Sequence, residues 1–306
     1  MGISSRKGPK VAVLMGGHSL EREVSLISGR ACSAALRGKD FEVVELDAGD
    51  DVVQRLNEVR PDVVFNALHG RWGEDGSIQG VLEWLRIPYT HSGVMASALA
   101  MDKHRSKHIF SNFGLPTAQG FIIDKTNLIN AHPLQKPYVV KPINEGSSIG
   151  VYFVNPLKDS PLDLSSDMSS ILMVEEYIPG RELTVTVMGE KALLVTDIIT
   201  QKWYDYEAKY NKGGSVHEVP ANIPDKIKEK CLECALSAHE LIGCRGISRA
   251  DFRWNESLGL DGLILLEINT QPGMTPTSLV PEQAEICGIK FGDLCQWLVE
   301  DASCDR

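Results

Sequence analysis

Near the C-terminus the chain reads Leu263-Ile264-Leu265-Leu266-Glu267-Ile268-Asn269, an apolar run that ends in alternating polar residues. An earlier segment, Ser248-Arg249-Ala250-Asp251-Phe252, has a similar alternation. Both patterns are typical of β-strands, in which residues two apart share a face. We therefore predict strands at residues 246–254 and 262–269. On this spacing, three residues of the second strand face the core: Ile264, Leu266 and Ile268.

The polar residues of these strands predict an oxygen-rich site. Glu267 shares a strand face with Asn269, and Asp251 shares one with Arg249. Two carboxylates and an amide are ligands that suit Mg²⁺, which completes its octahedron with water and phosphate oxygens. A solvent-exposed strand face gives the same alternation. The apolar run before Glu267 favours a site, because α/β folds bind ligands at strand ends.

The remaining pattern indicates an α/β protein of several units. Residues 10–15 read as a strand, and a glycine turn and a helix from Glu21 follow. Strands at 41–46 and 62–67, with a helix at 51–59 between them, predict βαβ units around a parallel sheet. A basic helix is predicted at 101–113, and short strands around 121, 139, 151 and 173 and at 182–188 follow it. A polar aromatic segment at 201–216 precedes a helix at 225–241, and a closing pair of helices follows Pro281.

Composition limits the classes of partner. The 306 residues are 43% hydrophobic and 24% charged, as in globular proteins. A net charge of -10 argues against a nucleic-acid or anionic-membrane surface, so any phosphate must be bound locally. Seven irregularly spaced cysteines predict reduced thiols, with Cys231 and Cys234 as apolar residues on one helix face. No apolar run reaches the roughly 18 residues of a membrane span, which predicts a cytoplasmic protein without a membrane partner.

Two segments in the middle of the chain suit a nucleotide. Lys141-Pro142-Ile143-Asn144-Glu145-Gly146-Ser147-Ser148-Ile149-Gly150 follows a strand, and its small residues let backbone N–H groups approach phosphate beside a lysine. It matches neither a Walker loop nor a dinucleotide fingerprint, and a glycine-rich hairpin is the alternative. The second segment is Glu175-Glu176-Tyr177-Ile178-Pro179-Gly180-Arg181-Glu182. It can present backbone groups to an adenine edge and a carboxylate to ribose hydroxyls. The alternative is that it forms a solvated acidic hinge.

Three further segments have both a structural and a functional interpretation. Glu21 lies at a predicted helix N-terminus, where an acidic residue caps the helix or receives a substrate ammonium. His69 follows a predicted strand end, where ligands bind, although a loop histidine also faces solvent. The aromatic segment 204–210 is a lid that excludes water, or a surface loop held by its tyrosines.

Taken in order, these segments resemble the D-alanine–D-alanine ligases of the ATP-grasp superfamily. The similarity runs from about residue 11 to residue 298. It is most specific in five segments: Gly16-Gly17-His18-Ser19-Leu20-Glu21-Arg22-Glu23-Val24-Ser25, Leu68-His69-Gly70, Glu145-Gly146-Ser147-Ser148, Tyr206-Glu207-Ala208-Lys209-Tyr210 and Glu267-Ile268-Asn269-Thr270-Gln271-Pro272-Gly273-Met274-Thr275. The resemblance implies a three-domain ATP-grasp fold that begins with a Rossmann-like parallel-sheet domain. The implied domains are a substrate-binding domain at 1–100, a central small lobe at 101–182 and a C-terminal lobe with metal site and lid at 183–306.

The resemblance also implies an activity and a set of site residues. The family joins two D-alanines through an acyl phosphate for peptidoglycan synthesis, using ATP and two Mg²⁺ ions for which Mn²⁺ substitutes, in a homodimer. By position, the metal ligands are Asp251, Glu267 and Asn269, and the phosphate contacts are Lys103, Lys141 and Lys209. Glu175 and Ile178 meet the adenine edge, and Glu182 meets the ribose. Glu21 and His69 match the site of the first D-alanine, and Ser278 and Leu279 match the site of the second. Arg249 and the Gly273 N–H match the groups that stabilise the oxyanion. Ser147 and Tyr210 match the pair that links Glu21 to the lid.

Two positions refine the expectation. Glu176 stands where many relatives have a lysine beside the adenine, so ATP affinity is weaker here unless Glu176 points to solvent. Tyr210 favours an amine over a hydroxyl as second substrate, because relatives that make D-alanine–D-lactate commonly replace it.

Three alternative functions stay open. One is an ATP-grasp ligase for a different carboxylate and amine. Another is a non-catalytic nucleotide-binding regulator, against which the intact metal-site residues argue. A Rossmann dehydrogenase would need a Gly-x-Gly-x-x-Gly turn, which Gly16-Gly17-His18-Ser19-Leu20 lacks.

Overall fold

Three β-sheets organise the part of the chain that the computed structural model describes, residues 8–128, 133–135, 137–146, 150–154, 169–200 and 215–305. The first sheet is parallel and contains β1 (Lys10–Met15), β2 (Glu42–Asp47) and β3 (Val63–Asn66), in the order β2-β1-β3. Five buried residues of β1, Val11 to Met15, explain why the central strand is almost continuously apolar. The predicted parallel sheet of the N-terminal part is therefore confirmed.

The other two sheets are antiparallel. The second contains β4 (Gly120–Asp124), β5 (Tyr138–Pro142), β6 (Tyr152–Val154) and β7 (Ile171–Glu176), in the order β4-β7-β5-β6. The third contains β8 (Arg181–Met188), β9 (Lys191–Ile199), β10 (Val216–Glu218), β11 (Ile247–Trp254) and β12 (Leu263–Asn269), in the order β10-β9-β8-β11-β12. Strand β9 was missing from the sequence prediction.

Helices accompany the sheets, and local sequence explains where two of them begin. The α-helices are α1 (Arg22–Arg37), α2 (Val52–Val59), α3 (Ser77–Leu85), α4 (Val94–Met101), α5 (Lys103–Asn112), α6 (Lys125–Leu128), α7 (Asp225–Ile242), α8 (Leu279–Ile286) and α9 (Phe291–Asp301). Asp102 caps α5 by accepting a hydrogen bond from Arg105 N at 2.9 Å. Helix α8 begins before Pro281, because proline is tolerated in a first turn. Among the described helices, none has both the length and the apolar character needed to cross a bilayer.

The largest core lies between the third sheet and α7. Cys231 and Cys234 are fully buried there, and burial raises the pKa of the Cys231 thiol to about 12. Both are free thiols, as predicted for apolar residues on one helix face. Ala96 of α4 and Phe110 of α5 join the same core. The two helices before the second sheet therefore pack on the third sheet.

The last helix returns to the first sheet. Leu294, Cys295 and Leu298 of α9 share a core with Val11 of β1 and Phe65 of β3. The N-terminal sheet is thus covered on one side by residues from the far end of the chain. The division at residues 1–100, 101–182 and 183–306 stays a prediction, which the three separate sheets support.

A β-bulge makes one prediction for β12 wrong. Asp251 pairs with Glu267, but the next residue of β11 pairs with Leu265, so Leu266 is an extra residue on β12. The bulge shifts the alternation, and the buried residues are Leu263, Leu265 and Ile268. Ile264 and Leu266 do not face the core as expected. Leu266 instead faces the same cleft as Glu267.

The position of α9 predicts a stability effect. Leu298→Ala leaves a cavity in the core shared with the first sheet, so we expect the free energy of unfolding to fall by about 2–5 kcal/mol. Leu258→Ala is the control, since Leu258 is 58% exposed, and it should change stability by less than about 0.5 kcal/mol. Urea unfolding followed by circular dichroism measures both. Similar small effects for the two variants would contradict this packing.

Candidate active site

Two clefts meet between the three sheets. The first, here called the substrate cleft, is lined by Glu21, His69, Glu74, Gly146, Ile198, Arg249, Asp251, Glu267, Asn269, Gln271, Pro272, Gly273, Thr277, Ser278 and Leu279. The second, here called the nucleotide cleft, is lined by Lys103, Val139, Lys141, Pro142, Glu145, Gly146, Val151, Glu175, Glu176, Tyr177, Ile178, Glu182, Asp251, Arg253, Leu266 and Glu267. Gly146, Asp251 and Glu267 belong to both. The carboxylates therefore mark the junction of the two clefts.

Polar partners hold Asp251 in a fixed orientation. Arg249 binds it through two hydrogen bonds, from Nε to Oδ1 at 2.8 Å and from the terminal nitrogen to Oδ2 at 2.6 Å. Thr184 Oγ1 donates to Oδ1 at 2.6 Å, and Asn269 Nδ2 donates to Oδ2 at 3.1 Å. Such charge-assisted bonds restrict the carboxylate more than neutral ones do. The predicted pairing of Arg249 with Asp251 on one strand face is confirmed.

Glu267 lies opposite Asp251 on the neighbouring strand. The two residues are direct cross-strand partners, and Arg249 is paired with Asn269 two residues further along. Lys103 Nζ lies 3.2 Å from Glu267 Oε2 and donates to Glu145 O at 2.6 Å. Lys103 therefore joins Glu267, a predicted metal ligand, to the loop at Glu145 that is predicted to bind phosphate. Two carboxylates and an amide side chain at one point are a donor set that fits Mg²⁺.

A buried ion cluster forms the base of the nucleotide cleft. The Glu175 carboxylate is 3% exposed and makes ion pairs with both Lys107 and Lys141. Burial alone would raise the pKa of Glu175, but the two ammonium groups outweigh it and hold the pKa below its usual range. Burial lowers the pKa of Lys107, and Glu175 opposes that shift. One carboxylate between two lysines leaves a net positive charge beside the cleft.

Ile178 and Glu182, also predicted to contact the nucleotide, lie between the end of β7 and the first residues of β8. Arg253 donates to Ile178 O at 3.1 Å and to Gly180 O at 2.8 Å, and it lies 3.3 Å from Glu182 Oε2. These bonds fix the connector between the second and third sheets. Glu176 is exposed at the edge of the same cleft, and its effect on ATP affinity stays a prediction.

Glu21 lies at the opposite end of the substrate cleft and is 5% exposed. It is the N-cap residue of α1, but its side chain makes no capping hydrogen bond. Two glycines allow other backbone segments to approach its carboxylate. A Cβ at Gly70, whose φ is +69°, would lie 2.3 Å from Glu21 Oε2, and a Cβ at Gly146 would lie 3.1 Å from it. The Glu21 carboxylate therefore lies between two close glycine backbones at the wall of the substrate cleft and does not cap α1.

His69 is buried beside Glu21 with one partner on each ring nitrogen. Its Nδ1 lies 3.0 Å from Glu74 Oε1, and its Nε2 lies 3.1 Å from Ser28 Oγ. Because a carboxylate only accepts hydrogen bonds, Nδ1 carries a proton. This arrangement contradicts a solvent-facing loop histidine and fixes the ring at the wall of the substrate cleft.

The start of α8 closes the substrate cleft on its third side. Ser278 is the N-cap, yet its Oγ turns back to accept from Thr275 N at 2.9 Å. The backbone N–H groups of the first turn are thus not used by this side chain. Gly273 faces Ser278 so closely that a Cβ would lie 2.9 Å from Ser278 Oγ. A small anionic group fits a helix N-terminus of this kind.

Three predicted site residues, Ser147, Lys209 and Tyr210, lie outside the described residues, as does most of the predicted lid. Their roles stay predictions. All other predicted site residues line one of the two clefts.

Comparison with known proteins identifies the family. The model described as D-ala D-ala ligase C-terminus matches residues 109–300, and the one described as D-ala D-ala ligase N-terminus matches residues 46–92. The D-alanine–D-alanine ligase of Ruegeria pomeroyi is 65% identical over 306 residues, covering 100% of both chains. That of Cereibacter sphaeroides is 64% identical over 305 residues, covering 100% of this chain and 99% of the relative.

The chain belongs to the D-alanine–D-alanine ligase family.

A solved structure agrees with this result. The D-alanine–D-alanine ligase from Bacillus anthracis complexed with ATP superposes with a TM-score of 0.79 at 28% identity, covering 96% of this chain and 97% of that one. The predictions of family, ATP-grasp fold and ATP-dependent ligase class are therefore confirmed.

Several residues of this ligase were missed from the sequence. Lys107 follows Lys103 by one helical turn, so helical spacing was a usable signal for a second inward lysine. Gln271 lies inside a segment that already carried the resemblance, and Glu74 follows the segment Leu68-His69-Gly70 by four residues. Gln271 accepts from Asn66 Nδ2 and donates to Leu68 O, both at 2.6 Å, which joins the first sheet to the loop after β12. Thr184 could be found only from the register of β8 with β11.

The ion cluster at Glu175 predicts an unequal effect of two neighbouring substitutions. Glu175→Gln leaves two buried ammonium groups without their carboxylate, so we expect a loss of about 3–5 kcal/mol in unfolding free energy at neutral pH. The pKa of Glu175 is lowered in the folded protein. The difference in unfolding free energy between the unmodified chain and Glu175→Gln should therefore disappear as the pH falls through that pKa.

Glu176→Gln is the matched control, since the same change is made one residue later on an exposed side chain. It should alter the free energy by less than about 0.5 kcal/mol. Denaturant unfolding at several pH values measures both variants. Equal effects of the two substitutions at neutral pH would refute the ion cluster.

Proposed function

We propose that this ligase joins two molecules of D-alanine into D-alanyl-D-alanine at the expense of ATP, for peptidoglycan synthesis. The observation that carries the proposal is the junction at Asp251 and Glu267, which belong to both clefts. A phosphate chain in the nucleotide cleft would end where a carboxylate in the substrate cleft begins. That geometry suits transfer of a phosphoryl group to a carboxylate.

The first step needs a carboxylate directed at the γ-phosphate. Glu21 receives the ammonium of the first D-alanine, and the neighbouring His69 ring, fixed by Glu74 and Ser28, limits the room around it. The carboxylate of that D-alanine attacks the γ-phosphorus of ATP, the bond to the bridging oxygen breaks, and ADP leaves. The product is an acyl phosphate. Its phosphate leaving group makes the acyl carbon a good electrophile, whereas the carbon of a free carboxylate is a poor one.

In the nucleotide cleft, Lys103 and Lys141 contact the phosphates, and Glu182 contacts the ribose. The Glu175 side chain is already bound to two lysines, so its backbone and that of Ile178 meet the adenine edge. Lys141 is shared between Glu175 and the phosphates in this proposal.

The second step needs an amine and an oxyanion site. The carboxylate of the second D-alanine binds Ser278 and the N-terminus of α8 at Leu279. Its neutral amine attacks the acyl carbon, and the tetrahedral oxyanion is stabilised by Arg249 and the Gly273 N–H. The nitrogen loses a proton to solvent as this intermediate collapses. The carbon–oxygen bond to phosphate then breaks, and inorganic phosphate leaves the newly formed dipeptide.

We assign Mg²⁺ to Asp251, Glu267 and Asn269, with two ions and Glu267 shared between them, and with Mn²⁺ able to substitute. The oxygen-only donor set supports this assignment. Bound there, the ions would neutralise charge on the ATP phosphates. The two hydrogen bonds from Arg249 would hold the Asp251 carboxylate in place beside the ions.

The proposal also includes a cytoplasmic homodimer and a lid. Lys209 and Tyr210 would close the site, and Ser147 with Tyr210 would link it to Glu21. Excluding water at this point protects an acyl phosphate from hydrolysis.

Substrate choice gives the direct test. Purified protein with ATP and Mg²⁺ should release phosphate when D-alanine is added, and at much lower rates with L-alanine or with D-lactate alone. The product should be D-alanyl-D-alanine by mass spectrometry. No phosphate release with D-alanine would sink the proposal.

The metal assignment predicts the effect of one isosteric substitution. Glu267→Gln removes the charge shared by both ions, which is worth several kcal/mol in the transition state. We expect kcat to fall by about 100-fold or more with an unchanged melting temperature. Glu240→Gln on the exposed face of α7 is the control with the same chemical change. Normal turnover in Glu267→Gln would remove the metal assignment.

A further inference from the structure

Helix α5 carries two pairs of basic side chains, Lys103 with Lys107 and His104 with His108. Lys103 and Lys107 are buried toward the nucleotide cleft and its ion cluster. His104 and His108, each one residue later, line a separate cleft on the outer side of the helix. That outer cleft is also lined by Lys107, Ser111, Thr117, Gln119, Leu134 and Met173. In the described part of the chain, it shares no lining residue with the nucleotide cleft.

The Nε2 atoms of the two imidazoles lie close together. His104 Nε2 and His108 Nε2 lie 3.1 Å apart, with ring centroids 4.4 Å apart and ring planes at 89°. Zinc–nitrogen bonds measure about 2.0–2.1 Å. Two such bonds at a right angle separate the nitrogens by about 2.9 Å, and at the tetrahedral angle by about 3.3 Å. The observed separation lies between these two values.

We propose that His104 and His108 form a binding site for a borderline transition-metal cation such as Zn²⁺, Ni²⁺ or Cu²⁺. Imidazole nitrogen suits these ions, whereas Mg²⁺ takes oxygen ligands. The site is therefore chemically distinct from the oxygen site at Asp251 and Glu267. Solvent water completes the coordination.

The protonation of the pair is compatible with metal binding. Burial lowers the pKa of His104, and the charges of His108, Arg105 and Lys107 act in the same direction, against Asp102. The 3.1 Å contact is then a hydrogen bond from one Nε2–H to the lone pair of the other Nε2. A metal takes both Nε2 lone pairs once the donor ring moves its proton from Nε2 to Nδ1, so no proton needs to leave.

The site is an open chelate. Within the described residues, no group of three or more His, Cys, Asp and Glu side chains is arranged to hold a metal ion. Two helix-borne ligands leave the other positions to solvent, so the ion exchanges readily. Binding bridges one turn of the helix that also carries Lys103 and Lys107.

The test is titration of full-length protein without a polyhistidine tag. Excess Mg²⁺ without ATP occupies the oxygen site, and Ni²⁺ is then added in a calorimeter. Either His104→Ala or His108→Ala should weaken Ni²⁺ binding by about tenfold or more, because each removes one arm of the chelate. His18→Ala should bind Ni²⁺ as the unmodified chain does, since His18 is a surface histidine paired with Asp50 elsewhere.

A spectroscopic measurement identifies the ligands. Electron paramagnetic resonance of one equivalent of Cu²⁺ should show coupling to two imidazole nitrogens in the unmodified chain and in His18→Ala, and loss of that signal in His104→Ala. Far-ultraviolet circular dichroism checks that the variants fold. Absence of Ni²⁺ binding, or equal binding by the unmodified chain and both alanine variants, would overturn the proposal.

Discussion

Two carboxylates face each other across adjacent strands, and most of the surrounding structure compensates their charge. Like charges directly opposite on a sheet are destabilising, and Asp251 and Glu267 are such a pair. Arg249 neutralises the first through two hydrogen bonds, and Lys103 lies against the second. Residues on β11 and on α5 therefore neutralise the negative charge that lies where the two clefts meet.

The same constraint links the second sheet to the third. Arg249 and Asp251 come from β11, and Lys103 comes from a helix packed on the third sheet. Glu175 comes from the second sheet and is bound to Lys107 of that same helix. Helix α5 thus connects both carboxylate sites. A shift of the second sheet relative to the third would break a buried ion pair, which is costly in a low-dielectric interior.

The sequence was sufficient for the elements whose pattern is local. The strand β1, the helix α7 and the polar ends of β11 and β12 follow from periodicity, and the family followed from short segments in a consistent order. What failed was non-local. The bulge at Leu266 depends on the register between two strands, and no alternation within β12 reveals it. Thr184 contacts Asp251 for the same reason, since only the pairing of β8 with β11 brings them together.

Domain boundaries read along the chain also miss how the substrate cleft is held. Its wall at Glu21 and His69 belongs to the first sheet, and its opposite wall belongs to the loop after β12. Gln271 crosses between them with bonds to Asn66 and Leu68, and α9 adds an apolar contact on the other side of the first sheet. Two links on different sides of a sheet resist both sliding and rotation. The separation of Glu21 from Asp251 across the substrate cleft is therefore held by side chains far apart in sequence.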